Sequence, residues 1–67
     1  MNQRDRIMAH LESGNTLTRL ESWQALGILE CPARISELRR EGVPIRTEMI
    51  QIYNKFGEKI SIAKWSL

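Results

Sequence analysis

Residues 17–42 read LTRLESWQALGILECPARISELRREG, and this stretch decides the fold. Near its start, Thr18 and Glu21 have the spacing of a capping box, in which a side-chain hydroxyl and a carboxylate each bind a free backbone N–H of the first helical turn. Gly27 tolerates the left-handed conformation that ends many helices. The pattern predicts a short helix over residues 19–26.

A second helix is predicted over residues 32–41. Pro32 fits the first turn of a helix, because the N–H that it lacks is not needed there, and Gly42 supplies a stop. Ile35 and Leu38 lie three residues apart, so they share one face of this helix. We expect that face to be buried.

An amphipathic helix is predicted before this stretch as well. Ile7, Met8 and Leu11 fit one face of a helix over residues 4–13, which Gly14 ends. Together with one face of each later element, these side chains predict a single core. The predicted core residues are Ile7, Leu11, Trp23, Leu26, Ile35, Leu38 and Trp65.

After Gly42 the apolar residues alternate as they do in strands. Residues 43–52 and 60–67 form two such segments, and the polar, glycine-containing connection between them predicts a hairpin over roughly 44–66. The alternation changes phase once in each segment, at Met49-Ile50 and at Ile62-Ala63. A bulge or a strong twist is compatible with such a change.

Three helices followed by a hairpin are typical of the α+β winged helix-turn-helix fold, and we predict this fold for one domain spanning residues 1–67. A chain of 67 residues is too short to build a second core. In a helix-turn-helix, the second helix enters the major groove of double-stranded DNA. We expect the helix over 32–41 to do so, and the hairpin wing to reach the adjacent DNA backbone or minor groove.

A helical wheel identifies the side chains of this helix that are available to DNA. Opposite the buried face lie two small residues, Ala33 and Ser36, which allow close approach, together with Glu37 and Arg40. Arg34 lies on a flank, where it can fork onto guanine or a phosphate. Glu37 repels phosphate, so we expect it to orient an arginine or to accept from cytosine. Arg39 lies near the buried edge.

The wing adds two lysines to this set, and the start of the helix-turn-helix adds a threonine. The predicted DNA-binding residues are Thr18, Ala33, Arg34, Ser36, Glu37, Arg40, Lys55 and Lys59.

Composition narrows the class of protein further. Cys31 and His10 are the only residues of their types, so neither an internal disulfide nor a metal site is expected. No nucleophile with a histidine and an orienting acid is apparent, and no glycine loop to cradle phosphate, so we predict a protein that is not an enzyme and needs no cofactor. The lone cysteine and the lack of a membrane-spanning apolar run predict a cytoplasmic location.

Positive charge is concentrated in the second half of the chain. Residues 1–30 carry three arginines against four acidic residues, whereas residues 31–67 carry seven lysines and arginines against four glutamates. This asymmetry is compatible with phosphate binding by the predicted recognition helix and wing.

The chain resembles a family of compact helix-turn-helix domains that phages and prophages frequently encode. The similarity covers nearly all of residues 7–67, and its most specific part is the run over 33–39 followed by a glycine. The residues that carry it are Leu17-Thr18, Ala25-Leu26-Gly27, Ala33-Arg34-Ile35-Ser36-Glu37-Leu38-Arg39, Gly42, Ile45-Arg46-Thr47-Glu48 and Ala63-Lys64-Trp65-Ser66-Leu67. The resemblance implies a winged helix that binds DNA. Our leading interpretation is a phage-type transcriptional regulator or recombination accessory factor.

A second interpretation remains open. The net charge is only +2, and the same surface would serve a protein-protein interaction module such as an antirepressor or an assembly factor. Tyr53 and Phe56 near the hairpin tip are candidate contacts for a DNA wedge or for a protein partner. A homodimer is also compatible with the sequence, because domains of this size often gain stability from self-association.

Overall fold

The computed structural model describes residues 2–67 and contains the three predicted helices and the predicted hairpin. The elements in chain order are α1 (Gln3–Glu12), β1 (Leu17–Thr18), α2 (Arg19–Leu26), α3 (Cys31–Arg40), β2 (Arg46–Tyr53) and β3 (Lys59–Ser66). The helices lie within one residue of their predicted bounds. The α+β class is therefore confirmed.

The predicted capping box at the start of α2 is confirmed. The Thr18 hydroxyl accepts from the Glu21 backbone N–H at 3.2 Å, and the Glu21 carboxylate accepts from the Thr18 N–H at 3.0 Å. At the other end, Gly27 has a φ of 68°. The Gly27 N–H donates to the carbonyl of Trp23, which is the bond of the αL C-cap motif, and the Ile28 N–H donates to the carbonyl of Ser22.

The short strand β1 was not predicted. Leu17 pairs with Trp65 and Thr18 with Lys64, which makes β3 the central strand of an antiparallel sheet in the order β1-β3-β2. Two residues are too few to show an alternating pattern. The pairing joins the segment before α2 to the end of the chain and so holds the sheet against the helices.

The wing is a regular ladder without a bulge, so the phase change in the sequence has another cause. Pairing runs without interruption from Arg46 opposite Ser66 to Tyr53 opposite Lys59. Met49 pairs with Ala63 and the next residue, Ile50, pairs with Ile62. Both strands change phase at the same level because their apolar side chains move from the core face of the sheet to its opposite face.

The core lies between the three helices and the base of the sheet. Five of the seven predicted core residues are buried, and Leu26 is half-buried against them. Leu17, Cys31 and Ile45 are also buried, although they were not among the predicted core residues. In the connection between α2 and α3, the buried residue is Ile28. The buried apolar residues are Ile7, Leu11, Leu17, Ile28, Cys31, Ile35, Leu38, Ile45 and Trp65.

The prediction that Trp23 belongs to the core is wrong, because its side chain is 54% exposed. The inward position of α2 is taken by Ser22, which is fully buried. The Ser22 hydroxyl donates to the carbonyl of Ile28 at 3.0 Å, which satisfies this buried polar group. The apolar stripe formed by Leu20 and Trp23 therefore faces outward.

Candidate nucleic-acid interface

The outer face of α3 is open to solvent. Cys31, Ile35 and Leu38 point into the core, whereas Ala33 and Ser36 are exposed on the other side. A helix of ten residues is about 15 Å long, and the major groove of B-DNA, about 12 Å wide, admits a helix. The small exposed side chains leave room for the helix backbone to approach the floor of such a groove.

Arg40 is a cation near the C-terminal end of this face. It lies in the last turn of α3 and is exposed. Within residues 2–67 it takes part in none of the ion pairs. Its guanidinium therefore has no protein anion to leave before it binds a phosphate or a base.

Arg34 and Glu37 are brought together on the flank of α3 that faces α1. Arg34 Nη2 lies 3.1 Å from Glu37 Oε2, and each side chain is about one third exposed. The Nε of Arg34 is buried and has no hydrogen-bond partner in the described residues. Glu37 thus pairs with an arginine, and whether this contact orients Arg34 toward DNA stays a prediction.

Arg4 on α1 completes this cluster and was not identified from sequence. Its Nε lies 4.0 Å from Glu37 Oε1, and its guanidinium also pairs with Glu41. Glu37 of α3 and Glu41, which directly follows the helix, are thereby matched by Arg4 and Arg34. No local signal predicts the contact of Arg4 with α3, because the partners are more than thirty residues apart in the chain.

Arg39, unlike Arg40, forms hydrogen bonds within the protein. Its Nε and Nη2 donate to the carbonyl oxygen of Ile45 at 3.3 and 3.1 Å, and Nη2 also donates to the hydroxyl of Thr47. These bonds join the end of α3 to the start of the wing. Its main partner is a backbone carbonyl, so the pattern of side chains in the sequence does not indicate this contact.

The tip of the wing is an ordered turn. The Asn54 side-chain oxygen accepts from the N–H groups of Phe56 and Glu58 at 2.9 and 3.0 Å, and the Asn54 amide donates to the Glu58 carboxylate at 2.9 Å. Gly57 supplies the positive φ, 79°, that closes the turn. Such a turn can present side chains in fixed positions.

Two lysines and two aromatic residues are exposed at this tip. Lys55 Nζ lies 5.3 Å from the centroid of the Phe56 ring, within the range of a cation–π contact. Lys59 begins β3 directly opposite Tyr53. The tip therefore combines positive charge with exposed apolar surface.

Thr18 lies apart from these residues. Its side chain is 7% exposed, its hydroxyl caps α2, and its backbone belongs to β1. It contributes to the helix-turn-helix by fixing where α2 begins.

The order of elements, with a short strand before the second helix and a two-stranded wing after the third, defines a winged helix. The chain belongs to the family described as winged helix-turn-helix domain, whose model matches residues 2–67. No curated protein and no solved structure matches the chain significantly. Membership supports a DNA-binding role, and domains of this class are typically DNA-binding modules without enzymatic activity.

No helix in the described part of the chain has the length and apolarity needed to cross a membrane. Residues 2–67 also contain no group of three histidine, cysteine, aspartate or glutamate residues that could hold a metal ion.

Proposed function

We propose that this protein binds double-stranded DNA with the outer face of α3 in the major groove and the wing on the adjacent backbone. The observation that carries the proposal is the outer face itself, where Ala33 and Ser36 allow close approach and Arg40 is exposed and unpaired within residues 2–67. Arginine in a major groove can fork onto guanine O6 and N7 or onto a phosphate.

Arg34 joins this interface from the flank. The Arg34–Glu37 pair is partly exposed to solvent, and a phosphate that takes the place of Glu37 restores a charge-assisted contact to the guanidinium. The exchange would also offer a partner to the buried Nε of Arg34. Glu37 then limits how much positive charge this flank presents.

Lys55 and Lys59 supply the second contact, from the wing. Both are exposed near the hairpin tip, and phosphate contacts of this kind position a protein on the duplex without reading its sequence. Thr18 is left out of the proposed interface because it is buried. The proposed biological role is that of a phage-type transcriptional regulator or recombination accessory factor acting in the cytoplasm.

Fluorescence anisotropy with mixed-sequence duplex DNA at two salt concentrations tests the proposal. Neutralising phosphates releases counterions, so the affinity should fall steeply between about 50 and 200 mM salt. In NMR chemical-shift mapping of the isotope-labelled protein, the same duplex should perturb the signals of Ala33, Arg34, Ser36 and Arg40. If no residue of α3 responds even at roughly millimolar DNA in low salt, far above usual nonspecific dissociation constants, the proposal is wrong. The chain is then better explained as a protein-interaction module such as an antirepressor or assembly factor.

A further inference from the structure

A contiguous apolar surface lies on α2 and the connection that follows it. Leu20, Trp23 and Leu29 are all about half exposed or more. Together with Ile62 of the wing they line a groove of about 500 Å³. Burying large apolar side chains stabilises proteins, so side chains left exposed in one patch indicate an interaction site.

The groove continues onto the wing through Ile62. Ile50 lies opposite Ile62, and Ile52 lies opposite Ile60. Because paired residues of an antiparallel ladder point to the same side, these four side chains form one isoleucine face, on the side of the sheet away from Trp65. The isoleucine face and the groove together form what we call the apolar surface.

An open strand edge lies beside the apolar surface. β1 pairs only with Lys64 and Trp65 of β3. Toward the tip, from Ala63 to Lys59, β3 has no second strand beside it in the described chain. An unpaired edge is a template for association with another chain.

We infer that the apolar surface is where a second copy of this chain binds. The charges at the rim of the groove favour a copy of the same chain. One cation, Arg19, and one anion, Glu30, line the groove, and neither takes part in an ion pair within residues 2–67. In a twofold dimer the same patch meets itself, which can place Arg19 of each copy near Glu30 of the other.

Other occupants fit this rim less well. Nucleic acid requires a cationic surface, and a strongly acidic or basic protein would meet one like charge for every opposite one. The balanced rim is instead complementary to itself. The inference does not depend on the proposed DNA interface, because the lining of the groove includes none of the residues proposed to contact DNA.

The size of the apolar surface is also that of a dimer contact. Its exposed side chains add up to an area on the order of 500 Å², at the upper end of the largest patches found on monomers. Each partner of a standard interface buries roughly 800 Å², so the apolar surface would form the larger part of such a contact. The full accessible surface is 4695 Å², so such a contact would cover a substantial part of the molecule.

Sedimentation equilibrium from roughly 1 to 500 μM, the range of weak dimers, tests the inference, with a reductant present because Cys31 is free. The average mass should rise from 7.8 kDa toward twice that value. The double variant Trp23→Ser, Leu29→Ser should raise the dimer Kd at least about tenfold. Its fold, checked by circular dichroism, should persist because both side chains are exposed. A chain that stays monomeric throughout this range overturns the inference.

Met49→Ser is the control for the double variant, because Met49 and Leu29 are both 63% exposed and Met49 lies on the other side of the wing. It should leave the dimer Kd within about twofold, and an equal weakening would place the contact elsewhere. A charge exchange tests the twofold pairing directly. Arg19→Glu should weaken the dimer, and adding Glu30→Arg should restore it; failure of the second change to restore it contradicts the proposed pairing.

Discussion

The guanidinium of Arg39, at the end of α3, binds the backbone carbonyl of Ile45 through two nitrogens, at 3.3 and 3.1 Å. Ile45 is itself buried and directly precedes β2. The contact therefore fixes the angle between the proposed recognition helix and the wing. Arg39, whose position in the helical wheel is near the buried edge, therefore connects the two proposed binding elements.

Arg39→Lys should loosen this joint. A single ammonium cannot reproduce the planar fork, so we expect the free energy of unfolding to fall by about 1 kcal/mol, the scale of a net hydrogen bond. DNA affinity should fall while its salt slope stays nearly constant, because the charge is retained. Urea unfolding and anisotropy measure the two effects. A parallel Arg40→Lys variant should not alter stability, and equal destabilisation by both would remove the special role of Arg39.

Arg40→Ala should weaken DNA binding without affecting the fold. A direct bidentate contact with a base is worth about 1–3 kcal/mol of discrimination, which corresponds to a loss of affinity of about five- to 150-fold. Arg40 is exposed and forms no ion pair within residues 2–67, so the melting temperature should not change. Unaltered affinity in anisotropy titrations would exclude Arg40 from the interface.

Glu37→Gln should strengthen DNA binding. The carboxylate pairs with Arg34, so its neutral analogue frees Arg34 to bind phosphate and removes a negative charge from this flank; Arg4 keeps its contact with Glu41. We expect a two- to fivefold gain, equivalent to about 0.5–1 kcal/mol, on duplexes of any sequence. A loss of affinity that depends on cytosine would show instead that Glu37 accepts a hydrogen bond from that base.

Each wing lysine should account for about one phosphate contact. Lys55→Ala and Lys59→Ala should each reduce the slope of log affinity against log salt by about one unit, equally on all sequences. Lys64→Ala serves as the control, because it removes a cation from the same strand at the base of the wing, where Lys64 lies 4.0 Å from Glu48. If the lysine variants at the tip keep the parent slope, the wing does not face DNA.

Cys31 should make the protein less stable in alkali. Burial raises the pKa of its thiol above the ordinary value of 9.0, and the hydrogen bond with Ser22 only partly opposes this. Below that pH the thiol is protonated in both the folded and the unfolded chain. Above it, the unfolded chain loses the proton more readily, so the free energy of unfolding falls as pH rises.

Urea unfolding between about pH 8 and 10 measures this effect, whose slope for one proton cannot exceed about 1.4 kcal/mol per pH unit. Cys31→Ala should show a flatter dependence than the parent, even though its stability at neutral pH is lower because a buried side chain is shortened. Identical pH dependence in the two proteins would mean that the thiol does not sense burial.

Features set by neighbours in the chain could be predicted from the sequence. The Thr18–Glu21 capping box and the stop at Gly27 use contacts within about four residues, and the alternation on either side of the tip identifies the wing. Ile35 and Leu38 follow from helical spacing alone. These elements, in this order, were enough to predict the α+β winged helix and the helix that is proposed to enter the groove.

Features that depend on which elements pack together required the tertiary structure. Trp23 was predicted to be a core residue, but Ser22 takes the inward position once α2 packs against α1 and the sheet. Of the two apolar residues in the connection that follows, Ile28 is buried and Leu29 is exposed. β1 exists only because Trp65 and Lys64, near the other end of the chain, pair with it. Arg4 pairs with Glu37 and Glu41 only because α1 packs beside α3. Local pattern fixes what each segment can form, whereas burial and charge pairing depend on distances between segments that no short stretch of sequence contains.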